Sequence, residues 1–257
     1  MSDGPPHGPG GTGETERHVT RHPIVVLWTT PRSRSTAFER MMIERGDHTV
    51  FDEPFSARYY FSSERRSRRF DRTIPDSTAT AVVQQLLDAA IERPVFVKDM
   101  AYHASGLLDA DLLGELVNTF LVREPRAALA SFAKKWPDLT EEEAGYTRLR
   151  EAYVVASALD ADAPAVLESD DLARDPEATV RAWCDAVRIP FLPGALTWEP
   201  GMPAEWKLWP DWYEGVARSC GFQPPEPAEH VRLDERLEAI AARARPVYDD
   251  LASTRLR

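Results

Sequence analysis

The chain has 257 residues, with 31 Lys and Arg against 42 Asp and Glu, a net charge of −11. Nucleic acids and anionic membranes are bound by basic faces that release counterions, so this balance argues against both partners and requires any anionic ligand to sit in a local pocket. The only two cysteines, Cys184 and Cys220, have neither metal-site nor disulfide spacing, which fits a reducing cytoplasm.

Residues 1–21 are Gly/Pro-rich and lack the apolar core of a signal peptide, so they read as a disordered tail ahead of one domain over 22–257. Ile24–Trp28 is a short unbroken apolar run, the pattern of a strand buried on both faces in a parallel sheet. Thr36 to Glu44 reads as a helix, with Phe38, Met41 and Met42 at helical spacing. Val50-Phe51 is a strand end, followed by the acidic pair Asp52-Glu53 and stopped by Pro54. The basic run Ser63 to Arg72 is either a solvated loop face or a cover over a site.

Thr78 to Ile91 has helical periodicity, and Val95–Val97 is a strand with Lys98, Asp99 and His103 at or just beyond its carboxyl end. Thr119–Val122 and Ala165–Glu168 are further strands, followed by helices over Arg126–Lys135 and Asp175–Val187. Trp198, Trp206, Trp209, Trp212 and Tyr213 crowd a Pro-rich irregular stretch that is either a cover on the core or the wall of a pocket. Arg232 to Leu251 closes with an amphipathic helix, and no apolar run approaches the ~18 residues that span a bilayer. The alternation predicts an α/β fold: a single domain with a central parallel sheet flanked by helices.

Open parallel sheets bind ligands beyond the carboxyl ends of their strands. Arg32, Ser33, Arg34, Ser35, Thr36, Glu53, Lys98, His103 and Arg123 all map to that edge. The turn TTPRSRST lacks the glycines and lysine of GxxxxGK[ST], which argues against magnesium-dependent ATP or GTP hydrolysis. What remains is a helix N-terminus whose free N–H groups and dipole favour an anion, with hydroxyls from Ser33, Ser35 and Thr36 and the planar fork of Arg32. The plainer alternative is a Ser or Thr helix cap with its arginines in solvent.

PRSRSTAF resembles the 5′-phosphosulfate loop of sulfotransferases that use 3′-phosphoadenosine 5′-phosphosulfate (PAPS). LVREPRAALASF is similar to that family's 3′-phosphate motif, matched by Arg123 and, eight residues on, Ser131. LESDDLARDPEATVRAWCDAV resembles its E-D-L…D-P-E-x-T segment, and Trp206-Lys207 in AEWKLW matches its C-terminal W-K pair. Order and approximate spacing hold from about residue 24 to 207.

The resemblance implies a P-loop-like sulfotransferase fold, PAPS as donor, desulfated PAP as product and no metal, while the apolar residues named below suit a small hydrophobic alcohol or phenol as acceptor. It implies that Arg32 to Thr36 hold the phosphosulfate, with Arg32 stabilising the leaving group and Lys98 facing the sulfuryl oxygens. It further implies that Arg123 and Ser131 hold the 3′-phosphate and that Trp206 and Lys207 complete the donor site. Met100, Tyr59, Tyr60 and the late tryptophans are candidates for an apolar acceptor wall, or else ordinary core.

Four positions depart from the family pattern. Arg34 replaces a glycine, which predicts a loop kept in non-glycine backbone geometry. Ala37 stands where cytosolic members place a Trp against adenine, and Ser169 where they have Tyr. Met100 stands where they have the proton-accepting His, leaving Glu53 as first candidate base and His103 as second. Two rivals share the sequence: an ATP-dependent small-molecule kinase, and a module that binds PAPS or PAP without transfer.

Overall fold

Ile24–Thr29 (β1) is buried at every position, because it lies at the centre of a parallel sheet whose two faces are both covered. The structure is a computed structural model that describes Met1 and residues 20–159, 161–225 and 232–257; most of the expected disordered tail lies outside the described residues. Thr49–Asp52 (β2), Val95–Met100 (β3), Val117–Val122 (β4) and Ala165–Glu168 (β5) complete a five-stranded sheet of order β2-β3-β1-β4-β5. All four pairings are parallel. The run around Val50-Phe51 is thus a strand of its own at the sheet's edge.

Helices α1 (Ser35–Arg45), α2 (Pro54–Phe61) and α3 (Ala79–Glu92) precede β3, and α4 (Ala110–Gly114) follows it. After β4 come α5 (Pro125–Ala133), α6 (Glu141–Ala144) and α7 (Tyr146–Leu159). After β5 come α8 (Ser169–Arg174), α9 (Pro176–Ala186), α10 (Pro210–Ala217) and α11 (Glu235–Ser253). The alternation of β1 sorts the core into two layers. Ile24, Val26 and Trp28 meet α3, α5, α7 and α11, whereas Val25 and Leu27 meet α1 and α9. In the second layer the Phe38 and Trp183 rings pack edge to face at 4.9 Å.

The predicted helices recur within three residues at each end. Missing from the sequence reading were α2, α4, α6, α7, α8 and α10. Pro54 and Pro210 each occupy a first-turn position, where a missing N–H costs nothing, so the Pro54 read as a stop opens a helix instead, as does Pro210. Among the described residues no helix is long and apolar enough to cross a membrane.

From β1 the chain moves to β2 on one side, and from β3 it crosses to β4 on the other, so the order reverses at β1. Such a switch point leaves a crevice beyond the carboxyl ends of the strands. The register levels those ends: Thr29 lies opposite Met100 and Leu121, and Asp52 opposite Lys98. Arg32, Glu53, His103 and Arg123 therefore emerge at one edge.

Candidate active site

The loop leaving β1 carries two residues in the left-handed region, Arg32 at φ 61° and Arg34 at φ 71°. The expectation that Arg34 avoids glycine-like geometry is corrected: as N-cap of α1 it takes the left-handed conformation that a glycine would supply. An L-residue is held there at a cost of roughly 1–2 kcal/mol. Strain of this kind persists where surrounding contacts over-determine it. The Thr29 and Ser33 hydroxyls are hydrogen-bonded across the loop, so Ser33 is committed to bracing it. Gly145 (φ +83°), between α6 and α7, closes the other side, where an added Cβ would meet Pro31 Cδ at 3.3 Å.

Beside this loop lies a cavity of about 310 Å³. Arg32, Arg34, Ser35, Thr36, Arg123 and Ser131 form one wall. Arg32 Nε donates to Ser131 Oγ at 2.9 Å, and Arg123 Nη1 donates to the Arg32 carbonyl at 2.7 Å, so the two arginine motifs, 91 residues apart, are one assembly. Arg123 Nε is buried with no hydrogen-bond partner among the described residues. Three guanidinium groups and the start of α1 thus face one space, a donor set suited to a polyanion.

Aromatic side chains adjoin these groups in the same cavity, with the Arg32 guanidinium over the Trp212 ring at 5.6 Å. Tyr60, Tyr102, Trp136, Trp209 and Trp212 line the cavity with Met100, and Tyr60 makes edge-to-face contacts with Trp136 and Trp209 at 5.8 and 5.5 Å. Tyr59 packs against Tyr60 and Tyr102 at 4.8 and 5.1 Å, in the cluster that backs these rings. The basic run after α2 is fastened here: Arg69 lies over Trp136 at 4.3 Å, and Phe70 joins the same aromatic cluster.

Glu53 and His103 complete the cavity. Glu53 is the N-cap of α2 with φ 47°, so the third left-handed residue of the site carries a candidate base. Its Oε1 accepts from Lys98 Nζ at 2.6 Å. His103 sits on the turn Ala101–Ala104 with Nδ1 2.7 Å from Asp99 Oδ1.

Lys98 is fully buried and does not line the cavity. Its ammonium meets Asp52 at 2.6 Å, Glu53 at 2.6 Å and Glu39 at 3.2 Å. Burial disfavours that charge, but Asp52, Glu39 and Glu53 outweigh it and hold Lys98 well above its usual range. Burial pushes the Glu39 carboxyl well up, assisted by Asp52 and opposed by Lys98; Glu53 is also raised by burial, against the pull of Lys98. Tyr213 donates to Asp52 Oδ2 at 2.7 Å and ties the C-terminal segment to this cluster.

Trp206 and Lys207 do not line this cavity. Trp206 is buried against Tyr213 at 4.8 Å, and Lys207 borders a second cavity of about 480 Å³ that touches Glu53 from another side. Sequence reasoning missed Glu39, whose signal was a carboxylate between Phe38 and Met41 on the apolar face of α1, and Trp136, an isolated aromatic past α5. Among the described residues no group of His, Cys, Asp and Glu is arranged to hold a metal ion.

A family model described as a sulfotransferase domain matches residues 24–254. Branched-chain-amino-acid aminotransferase-like protein 2 of Arabidopsis thaliana is 32% identical over 212 residues, covering 79% of this chain and 37% of that protein. Its companion, protein 1, is 29% identical over 245 residues, covering 90% and 42%. The chain spans about two fifths of the length of these relatives. A sulfotransferase domain from the Synechococcus PCC 7002 olefin synthase superposes with a TM-score of 0.51 at 15% identity over 87% of this chain and 95% of that one, a likeness of fold. One from the curacin biosynthetic pathway gives 0.49 at 15% identity over 87% and 98%. With the family model covering the sheet, the arginine loop and the residues that line the cavity, the chain belongs to the sulfotransferase-domain family.

Proposed function

We propose that the protein transfers a sulfuryl group from PAPS to the hydroxyl of a small hydrophobic alcohol or phenol. The observation that carries this reading is the lining of one cavity, which brings Arg32, Arg34, Arg123 and the start of α1 together with aromatic rings, Glu53 and His103. A polyanionic donor suits the cationic groups, and an apolar acceptor suits the aromatic ones.

Sulfuryl transfer, like phosphoryl transfer, depends on in-line positioning and fixed positive charge more than on covalent participation by the protein. Arg32 and the α1 N-terminus are placed to stabilise negative charge building on the leaving phosphate, and Arg123 with Ser131 to hold the remote 3′-phosphate. Lys98 receives a changed role. With its ammonium committed to three buried carboxylates, it orients Glu53 rather than meeting the sulfuryl oxygens. The acceptor's proton leaves toward the wall formed by Glu53 and His103.

Calorimetric titration with PAP in the absence of magnesium, beside ATP, tests the donor half. Selective PAP binding that weakens in Arg123→Ala is expected. Equal binding of both nucleotides would return the kinase reading to the front, and binding of neither would overturn the donor site. The acceptor half is tested by sulfation of simple phenols and alcohols with PAPS, and binding without transfer would support the non-catalytic module.

A further inference from the structure

We propose that Asp99 is a positioning residue that keeps the proton on Nδ1 of His103 and thereby makes His103 Nε2 the atom that takes the acceptor's hydroxyl proton. The inference rests on the sulfotransferase reading. Asp99 is fully buried at the end of β3. Its Oδ2 accepts the Phe55 N–H at 2.7 Å, and its Oδ1 accepts the Met100 N–H at 2.8 Å while facing His103 Nδ1 at 2.7 Å. Burial raises this carboxyl, opposed by those N–H groups and the Lys98 charge. A group that already accepts two backbone N–H bonds is organised as an acceptor, so the proton of the Asp99–His103 pair belongs on the imidazole.

Nδ1 is the ring nitrogen of His103 with a hydrogen-bond partner among the described residues, and His103 forms part of the cavity wall. Tyr102, Tyr60 and Tyr59 pack around the ring at 4.3, 5.6 and 5.7 Å and fix its plane. The remaining nitrogen, Nε2, is the unprotonated acceptor of that tautomer. Glu53 differs in kind. Its Oε1 is taken up by the charge-assisted bond from Lys98 at 2.6 Å, which opposes the rise that burial imposes on the carboxyl and sets it as a counter-charge for the imidazolium.

Asp99 also governs Glu53's placement. Through the Phe55 N–H it pins the first turn of α2, whose N-cap is Glu53, so one buried carboxylate sets the position of both groups. The acceptor oxygen forms a bond to sulfur as the bond from sulfur to the 5′-phosphate oxygen breaks; the electron pair leaves on PAP, and the hydroxyl proton goes to His103 Nε2.

The experiment combines nitrogen-15 NMR of the histidine rings with kinetics on 2-naphthol and 1-octanol as probe acceptors. Wild-type His103 should carry its proton on Nδ1, and Asp99→Ala should release the ring to the Nε2–H form. His103→Asn retains an N–H for Asp99 but deletes Nε2; it should lower kcat by about 10²–10⁴-fold with PAP affinity held. Glu53→Gln should cost roughly ten-fold less than that. An Nε2–H tautomer in the wild type overturns the proposal. So does a His103→Asn variant near wild-type turnover beside an inactive Glu53→Gln. If Asp99→Ala does not fold, the wild-type tautomer and the other two variants decide the matter. A wild-type protein that binds PAP but sulfates neither probe overturns both the transfer reading and the proton-accepting role, while the tautomer still stands or falls on the NMR.

Discussion

Arg123 donates through Nη1 to the main-chain carbonyl of Arg32 at 2.7 Å, and its own carbonyl accepts from the Tyr146 hydroxyl at 2.7 Å. The side chain that would hold the far phosphate of a nucleotide therefore also braces the loop that would hold the near one. Donor binding and loop geometry become two consequences of one guanidinium.

Arg123→Ala should weaken PAP binding by about 10- to 150-fold, the equivalent of one charge-assisted hydrogen bond of roughly 1.5–3 kcal/mol. Calorimetry measures this directly. Arg123→Lys keeps the charge but not the fork, so it should recover part of the affinity. An unchanged dissociation constant in a folded Arg123→Ala protein would remove the residue from the site.

Arg34 makes a sharper test of the loop. At φ 71° an alanine bears the same left-handed penalty as arginine, whereas glycine does not. Arg34→Gly should therefore melt above Arg34→Ala by roughly 2–4 °C, the shift for about 1 kcal/mol in a domain of this size. Both should bind PAP more weakly than the wild type, because both lose a charge on the cavity wall. Equal melting temperatures would mean that the loop relaxes out of the left-handed region once the side chain is gone.

The sheet was legible because its strands are short apolar runs ending in polar clusters, and the cationic wall because arginines and hydroxyls follow two of those strands. Arg34 itself was misread: sequence offers its identity but not its φ, and neighbouring packing imposes a conformation that local preference disfavours. Helix α7 escaped because Tyr146, Leu149, Ala152 and Ala156 carry its buried face amid Arg148, Arg150 and Glu151, a weak stripe beside stronger charges. The Lys98 cluster was half visible. Asp52, Glu53 and Lys98 stand at strand ends, but Glu39 comes from the middle of a helix, and only the tertiary fold brings it within 3.2 Å.

His103 should remain neutral throughout the physiological range. Burial lowers it to about 4, against the opposing pull of Glu53. An unfolded histidine takes up its proton near 6.5 and the folded one does not until about 4, so the unfolded chain holds more protons between those values. Stability contributed by this group is complete above about 6.5 and is lost as pH falls toward 4. Proton NMR of the ring should show no titration between about pH 6 and 8. A midpoint in that range would mean the ring is more hydrated than its surroundings imply.

Arg69 decides whether the basic run after α2 is a loop face or a fastened cover. Its Nε and Nη2 donate to Glu143 at 3.0 and 2.9 Å, Nη1 donates to both oxygens of Asp138, and the guanidinium lies over Trp136 of the cavity wall. Glu143 is buried, and the Tyr60 hydroxyl, itself bonded to that of Tyr102, also reaches it at 3.4 Å. Removing Arg69 leaves Glu143 without its counter-charge, a loss of about 1–3 kcal/mol. Arg69→Ala should thus lower the melting temperature by several degrees and make trypsin cut faster within residues 65–72. Arg69→Lys should restore less than half of the lost protection, because an ammonium cannot span both carboxylates while stacking on Trp136. Unaltered melting and cleavage in Arg69→Ala would show that Phe70 and the aromatic cluster hold the segment by themselves.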